Sequence, residues 1–97
     1  MASFVILGTY TDQGVSSIKD LPARLAAAQQ AVQDAGGRMI CFYLTMGEYD
    51  FMSVVELPDA ETAAQFEIQT SLLGNVRTQT MRAFTEEEAA TIVGALQ

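Results

Sequence analysis

The sequence contains no histidine and only one cysteine, and these two shortages exclude several kinds of chemistry. Zinc and copper sites are built largely from histidine and cysteine ligands, so we predict neither a metal site nor a cofactor. One thiol cannot form a disulfide within the chain, which excludes a disulfide framework. Cys41 lies among apolar residues with no histidine to activate it, so we expect a small packed side chain rather than a nucleophile.

Basic residues are also few, and their shortage argues against a nucleic-acid partner. Five Lys and Arg residues stand against twelve Asp and Glu residues, which gives a formal net charge of −7. The basic residues are scattered along the chain, at Lys19, Arg24, Arg38, Arg77 and Arg82. Binding to nucleic-acid phosphates or to anionic lipid needs clustered cations, so we predict neither nucleic acid nor membrane as a partner.

Long apolar runs are missing as well. No apolar run reaches about eighteen residues, the length that a membrane-spanning helix needs. The stretch 1–8 lacks the basic residues and the apolar length of a signal peptide. We therefore expect a cytoplasmic protein.

Apolar residues, in contrast, are abundant and make up 49% of the 97 residues. A chain of this length forms one domain, here residues 1–97, and buries only roughly 60–65% of the surface of its unfolded chain. The core of such a domain is thin. The surplus of apolar residues therefore predicts that some apolar surface is buried against another subunit.

Periodicity and turn residues predict four strands and three helices. The strands are the apolar, β-rich stretches 4–11, 38–46, 51–57 and 76–84. Helical spacing of apolar residues predicts helices over 21–35 and 60–72, each followed by glycine. The stretch 12–14 is expected only to break the first strand. The sequence Thr-Glu-Glu-Glu at 85–88 has the form of a capping box and predicts a short C-terminal helix.

The order β-α-β-β-α-β-α is typical of an α+β protein of the ferredoxin-like βαββαβ type, here with an extra C-terminal helix. Right-handed crossovers place both main helices on one face of an antiparallel sheet with the strand order 4-1-3-2.

Side-chain alternation in the predicted second strand indicates what covers the other face of this sheet. It places Ile40, Phe42, Leu44 and Met46 on one face, and Met39, Cys41, Tyr43 and Thr45 on the other. A sheet face that is open to water should be polar at alternate residues, and this one is not. We therefore predict that a second copy of the chain covers the helix-free face, in a homodimer or a higher homo-oligomer.

Three stretches match a known pattern: Thr-Asp-Gln-Gly at 11–14, Phe-Tyr-Leu-Thr-Met-Gly-Glu-Tyr-Asp at 42–50, and the segment 73–85. With these stretches the chain resembles the GYD domain family, small bacterial proteins named for a Gly-x-Tyr-Asp element. The resemblance implies a ferredoxin-like fold of the dimeric α/β-barrel type. It implies no established activity, and no catalytic residues can be carried over from it.

The turn formed by Gly47, Glu48, Tyr49 and Asp50 is the best-marked candidate site. The favoured interpretation is structural, with Gly47 at a positive φ, Asp50 bonded to backbone amides and the Tyr49 ring packed on the domain. The alternative places Tyr49 and Asp50 at a pocket rim as hydrogen-bonding and acid/base groups.

The last predicted strand is unusually polar and supplies the second part of the candidate site. Arg77 and Arg82 either protect an edge strand from unwanted pairing or bind a carboxylate or phosphate. A third interpretation pairs them with the acidic hairpin, which lies at the opposite sheet edge and therefore requires a neighbouring subunit or a bound anion. The candidate pocket or interface residues are Glu48, Tyr49, Asp50, Glu56, Arg77 and Arg82.

Three functions of different classes fit these features. The first is a small-molecule-binding or regulatory module, and its partners are a second copy of the chain and a small molecule. The second is a cofactor-independent monooxygenase or isomerase, by analogy of fold alone. The third is a purely structural oligomerisation module. A pocket into which Tyr49, Asp50 or Arg82 points favours the enzyme, whereas a pocket without such convergent groups favours binding.

Overall fold

The computed structural model describes residues 1–97, and its elements follow the predicted order. The four strands are β1 (Ala2–Tyr10), β2 (Arg38–Leu44), β3 (Phe51–Leu57) and β4 (Val76–Ala83). The helices are α1 (Asp12–Ser16), α2 (Leu21–Asp34), α3 (Ala60–Leu72) and α4 (Glu86–Gly94), with a 3-10 turn at Ile18–Asp20. The strands form one sheet in the order β2-β3-β1-β4, with every neighbouring pair antiparallel. The predicted α+β ferredoxin-like fold is confirmed.

The ends of the helices follow from local chemistry. The Asp59 side chain accepts a hydrogen bond from the Thr62 amide at 2.8 Å and begins α3. Gly74, at φ 80°, follows its last turn in the left-handed conformation that glycine adopts without strain. Thr85 and Glu88 exchange hydrogen bonds in the predicted capping box of α4. None of the helices combines the length and the apolar character needed to cross a membrane.

The segment after β1 differs from expectation, because 12–14 starts a short helix instead of a simple break. The Thr11 hydroxyl accepts a hydrogen bond from the Gly14 amide at 3.1 Å and donates one to the Gly74 carbonyl at 2.6 Å. Gly14 lies so close to Asn75 that a Cβ atom would come 2.0 Å from the Asn75 carbonyl oxygen. Helix α1 is thus held against the turn between α3 and β4. Five residues are too few for a helical periodicity to be recognised in the sequence.

The core is as thin as the chain length predicts, since only 10 of 97 residues are buried. It lies between the sheet and the helices α2 and α3, and its apolar members are Phe4, Ile6, Val32, Phe51, Val55, Leu57 and Ala63. The opposite face of the sheet, here called the free face, carries residues that alternate with these along the strands. Its apolar members are Val5, Leu7, Cys41, Tyr43, Met52, Val54 and Met81.

A bulge near the start of β2 interrupts the predicted alternation of that strand, whereas 41–44 alternate as predicted. Met39 pairs with Val55 and Cys41 pairs with Val54, so Ile40 is the extra residue between them. Met39 therefore packs against the core together with Phe42, whereas Ile40 is 48% exposed. Strict alternation through 39–46 was wrong because a single inserted residue reverses the face of everything before it.

Three aromatic rings lie in a row across the helix side of the sheet. The Phe42 and Phe51 rings are stacked with centroids 5.5 Å apart, and the Tyr10 ring follows at 5.6 Å from Phe51. The Phe51 ring lies over the backbone of Gly8, where a Cβ atom would come 2.1 Å from its Cζ atom. We call Phe42, Phe51 and Tyr10 the aromatic row.

Replacing Gly8 tests the packing of this row. In Gly8→Ala the added methyl group displaces the Phe51 ring, and overpacking of this kind lowers the free energy of unfolding by about 1–3 kcal/mol. Urea unfolding followed by circular dichroism measures the change. The matched control is Gly94→Ala at the end of α4, where the added Cβ atom meets nothing within 4 Å and stability should not fall, since alanine favours a helix more than glycine does. Equal stability of the two variants would contradict the packing of Phe51 on Gly8.

Candidate functional site

A groove of about 490 Å³ lies between helices α2 and α3, on the helix side of the sheet. Helix α2 packs mainly along the edge strand β2 and helix α3 mainly along the opposite edge strand β4. The space over the central strands is therefore left open. On α2 the side chains that border it include Ala27, Ala28 and Ala31, whose short side chains do not fill it.

The lining of the groove is predominantly apolar. Thirteen of its twenty-one lining residues are hydrophobic, so water gains few hydrogen bonds there. The aromatic row lines the groove, together with Leu21, Leu25, Phe66, Leu73 and Val76. Such a surface favours the binding of an apolar molecule.

Two buried hydroxyl groups belong to residues that line the groove and have no hydrogen-bond partner within the chain. They are Tyr10 Oη and Thr78 Oγ1. Both residues lie on the helix side of the sheet, since Thr78 pairs with Gly8 and Tyr10 with Val76 in the β1–β4 register. A buried polar group without a partner costs about 1–3 kcal/mol, so each hydroxyl favours a partner from outside the chain.

The hydroxyl of Tyr10 stays protonated well beyond neutral pH. Burial raises the pKa of this group above the ordinary tyrosine value of 10.0, and the negative charge of Asp50 raises the pKa further. The positive charge of Arg24 acts on it in the opposite direction. Tyr10 can therefore serve as a hydrogen-bond donor in the groove at physiological pH.

Arg24 brings the only basic side chain to the groove. Its Nη1 atom donates to the Ser17 carbonyl at 3.0 Å and to the Ser17 hydroxyl at 2.8 Å, which fixes the guanidinium. No carboxylate pairs with it, since the two ion pairs of the structure are Arg38–Glu56 and Arg82–Glu88. The groove thus holds a cation without a counter-ion. Its one acidic lining residue is Glu67 on α3.

The Gly47–Asp50 turn makes structural contacts. Asp50 Oδ2 accepts a hydrogen bond from the Tyr10 amide at 2.9 Å, and Gly47 has a φ of 108°. The Tyr49 hydroxyl donates to Gln79 Oε1 at 3.1 Å, so the turn reaches across β1 to β4 within one chain. This hydrogen bond was not predicted, because the predicted strand order places the hairpin and β4 at opposite edges of the sheet. Glu48 is exposed.

The remaining predicted site residues lie apart from the turn. Arg82 lies 4.4 Å from the ring centroid of Phe84 and 3.7 Å from a Glu88 oxygen, so its acidic partner comes from α4. Glu56 accepts a hydrogen bond from Arg38 at 2.5 Å. Arg77 is exposed and makes no ion pair. The pairing of these arginines with the hairpin across a subunit boundary stays a prediction.

None of the six predicted site residues lines the groove. Asp50 comes nearest, because it bonds the backbone of Tyr10. Tyr10, Arg24 and Thr78 were not predicted from the sequence as site residues. Tyr10 could have been found, since it continues the alternation of Phe4 and Ile6 along β1. Thr78 requires the cross-strand register and Arg24 the helix packing, and neither is visible in a local pattern.

Metal ligands do not come together in this fold. No group of three or more Cys, Asp or Glu side chains is placed to hold an ion, and histidine is absent from the chain. Cys41 is a half-buried free thiol on the free face. The groove therefore combines a mainly apolar surface with several polar groups, among them the unpaired Arg24 and the unpartnered hydroxyls of Tyr10 and Thr78.

Comparison with known protein families identifies the family to which this chain belongs. The model of the GYD domain matches residues 4–93. The chain belongs to the GYD domain family. A relative from Thermus thermophilus is 36% identical over 84 residues, which cover 86% of this chain and 88% of that protein. That relative is named "Glutamine synthetase and cystathionine beta-lyase binding protein".

Solved structures share the fold of this GYD domain protein. FFRP-DM1 has a TM-score of 0.62 at 21% identity and covers 87% of this chain and 100% of its own. LrpC of B. subtilis has a TM-score of 0.57 at 19% identity, covering 88% of this chain and 51% of its own. A Thermus thermophilus protein is 25% identical with a TM-score of 0.54, covering 88% of this chain and 95% of its own. The similarity to the first two extends to the fold alone.

The surroundings of Tyr10 can be tested by titration. In the double variant Tyr43→Phe, Tyr49→Phe only Tyr10 remains, and its absorbance near 295 nm should report a pKa above 10.0. Asp50→Asn keeps an acceptor for the Tyr10 amide but removes the charge, so the pKa should fall. Arg24→Gln should raise it.

The sign of the accompanying stability change follows from linkage. The pKa of Tyr10 is higher in the folded than in the unfolded chain, so its contribution is complete below the unfolded value of 10.0. That contribution is lost as pH rises through the folded pKa. Tyr10→Phe should therefore lose less stability than the wild type between pH 9.5 and 11, about the range of the titration. Equal losses would contradict the raised pKa.

Proposed function

We propose that this GYD domain protein is a small-molecule-binding regulatory module that works as a homo-oligomer. The observation that carries the proposal is the groove of about 490 Å³ between helices α2 and α3. Ligand sites in proteins have volumes of about 300–1,000 Å³ and combine apolar walls with a few fixed polar groups. The groove has this size and this composition, in a chain whose core contains seven apolar residues.

The arrangement of polar groups supports binding over catalysis. None of Tyr49, Asp50 and Arg82 lines the groove, so the acid/base groups expected of a monooxygenase or isomerase do not converge there. Tyr10 is held in its neutral form, which suits recognition by hydrogen bonding. A purely structural module needs no pocket, so the open groove also argues against that function.

Filling the groove tests this proposal. Naphthalene-2-methanol, a neutral flat probe, should bind with a dissociation constant of roughly 0.1–1 mM, as expected for a ligand of its size. Amide chemical shifts in ¹⁵N-labelled protein measure the affinity and locate the site. In Ala28→Phe the new ring occupies the groove, and affinity should fall by at least about tenfold.

The matched control lies on the same helix. Ala26 is exposed and does not line the groove, so Ala26→Phe should bind the probe as the wild type does. Shift changes confined to the free face, or equal loss in both variants, would show that the groove is not the binding site.

The free face supports the homo-oligomeric part of the proposal. Its central residues Val5, Leu7, Met52 and Val54 are only half-buried, and Tyr43 beside them is 62% exposed. A continuous apolar face of this kind is characteristic of a surface that another protein covers. Two copies that pack their free faces together would form the dimeric α/β barrel that the family resemblance implies.

A charge in this face should weaken self-association. Sedimentation equilibrium at low micromolar concentration should give at least a dimer for the wild type and a lower mass for Val54→Lys. The unfolding temperature should fall as well, since association stabilises the folded chain by mass action. Ala64→Lys, on the exposed side of α3, is the control and should stay associated. A monomeric wild type would overturn the homo-oligomer.

An enzyme partner is the second candidate, and the name of the Thermus thermophilus relative favours it. In this alternative the apolar free face, or a surface of the oligomer, docks on a metabolic enzyme such as glutamine synthetase. Size-exclusion chromatography of this protein mixed with glutamine synthetase of the same organism tests it. Co-elution would support an enzyme partner, and its loss in Val54→Lys would show that binding needs the free face or the oligomer that this face forms.

A further inference from the structure

The floor of the groove is built from three aromatic rings that are inclined to one another by moderate angles. The planes of Phe42 and Phe51 differ by 24°, and those of Tyr10 and Phe51 differ by 33°. Gly8 allows the middle ring to lie directly on the sheet backbone instead of standing upright. Aromatic faces pack best against other flat apolar groups, in offset or tilted geometry. The aromatic row therefore selects for a flat apolar body in the ligand.

The guanidinium of Arg24, which also lines the groove, favours an anionic group in the ligand. Arg24 is half-buried, has no carboxylate partner and belongs to a chain with a net charge of −7. Its Nε–H donates to no group in the chain, and Nη2 donates only to the Gly14 carbonyl at 3.5 Å. The Nε and Nη2 groups of Arg24 can thus donate to a ligand. The planar guanidinium suits a carboxylate, to which it can donate two parallel hydrogen bonds.

Two unpartnered hydroxyls belong to residues that line the same groove as Arg24. Tyr10 Oη and Thr78 Oγ1 are buried without partners, and the Arg24 charge is close enough to act on Tyr10. A protonated tyrosine hydroxyl can donate to a carboxylate oxygen, and a threonine hydroxyl can donate as well. An ammonium group at this place would add a second cation near Arg24, and the one acidic residue of the lining, Glu67, lies on the other helix, α3.

We infer that the groove binds a flat apolar monocarboxylate, with its body on the aromatic row and its carboxylate at Arg24, Tyr10 and Thr78. The inference rests on the proposed function, because it names the class of ligand for the same groove. Glu67, the one acidic residue in the lining, disfavours ligands with a second negative charge.

Three probes with the same ring system separate the charge classes. They are 2-naphthoate, naphthalene-2-methanol and 2-naphthylmethylammonium, each titrated into wild-type protein at pH 7 and followed by amide shifts. The naphthoate should bind at least about tenfold tighter than the alcohol, as hydrogen bonds to charged groups predict. The ammonium probe should bind more weakly than the alcohol.

Variants assign the charge preference to its residue. Arg24→Gln should reduce the affinity for naphthoate by about tenfold and leave the alcohol nearly unaffected. Arg77→Gln removes the same charge from an exposed position outside the groove and should change neither affinity. If only the change in net charge mattered, both variants would lower the affinity for naphthoate equally, and this result would overturn the inference.

The outcomes distinguish the inference from the proposal on which it rests. Equal affinities for the three wild-type titrations, or a preference for the ammonium probe, would overturn the carboxylate ligand while the binding groove stands. Absence of binding for all three probes would overturn both. The wild-type comparison is decisive even if Arg24→Gln folds poorly after losing its bonds to Ser17.

Discussion

The contact between the Phe51 ring and the backbone of Gly8 determines the shape of the groove floor. A side chain at position 8 would lift the ring, and Phe42 and Tyr10 could then no longer continue its surface. The neighbouring Asp50 holds this part of β1 in position. Its amide donates to the Gly8 carbonyl at 2.8 Å, and its carboxylate accepts from the Tyr10 amide. The aspartate that ends the family's Gly-x-Tyr-Asp element thus positions a ring of the aromatic row.

The distribution of apolar residues explains how so hydrophobic a chain has so small a core. Both main helices lie along the edge strands, so they cover the centre of the sheet incompletely. The apolar side chains that a compact core would have absorbed lie instead along the groove and on the free face. Burial of this surface would contribute about 25 cal/mol per Å² only when a ligand or another protein covers it.

The sequence was sufficient to predict those strands and helices in which a residue pattern repeats along the whole element. Alternating strands, helical spacing and glycine stops predicted the strand order and both main helices, because each signal extends over a whole element. The prediction was wrong where one inserted residue changes the facing of its neighbours, as at the Ile40 bulge. It was also wrong where an element is too short to show a periodic pattern, as in α1.

The candidate site was harder to predict for a related reason. The prominent turn residues, Tyr49 and Asp50, are conspicuous in the sequence, yet their hydrogen bonds go to neighbouring strands. Tyr10, Arg24 and Thr78 come from three distant segments, and only the tertiary structure brings them to one groove. Local patterns carry no information on which isolated polar residues will share a cavity.

The central place of β1 in the sheet has a consequence for synthesis on the ribosome. This strand is made first, but its two hydrogen-bonding neighbours, β3 and β4, follow more than forty and more than sixty residues later. Until 76–83 have emerged, one side of an apolar strand is unpaired and open to other nascent chains. Non-local pairing of this kind slows folding, since a long loop must close before either ladder of β1 forms. Of the four strands, β1 therefore waits longest between its own synthesis and the pairing of both its edges.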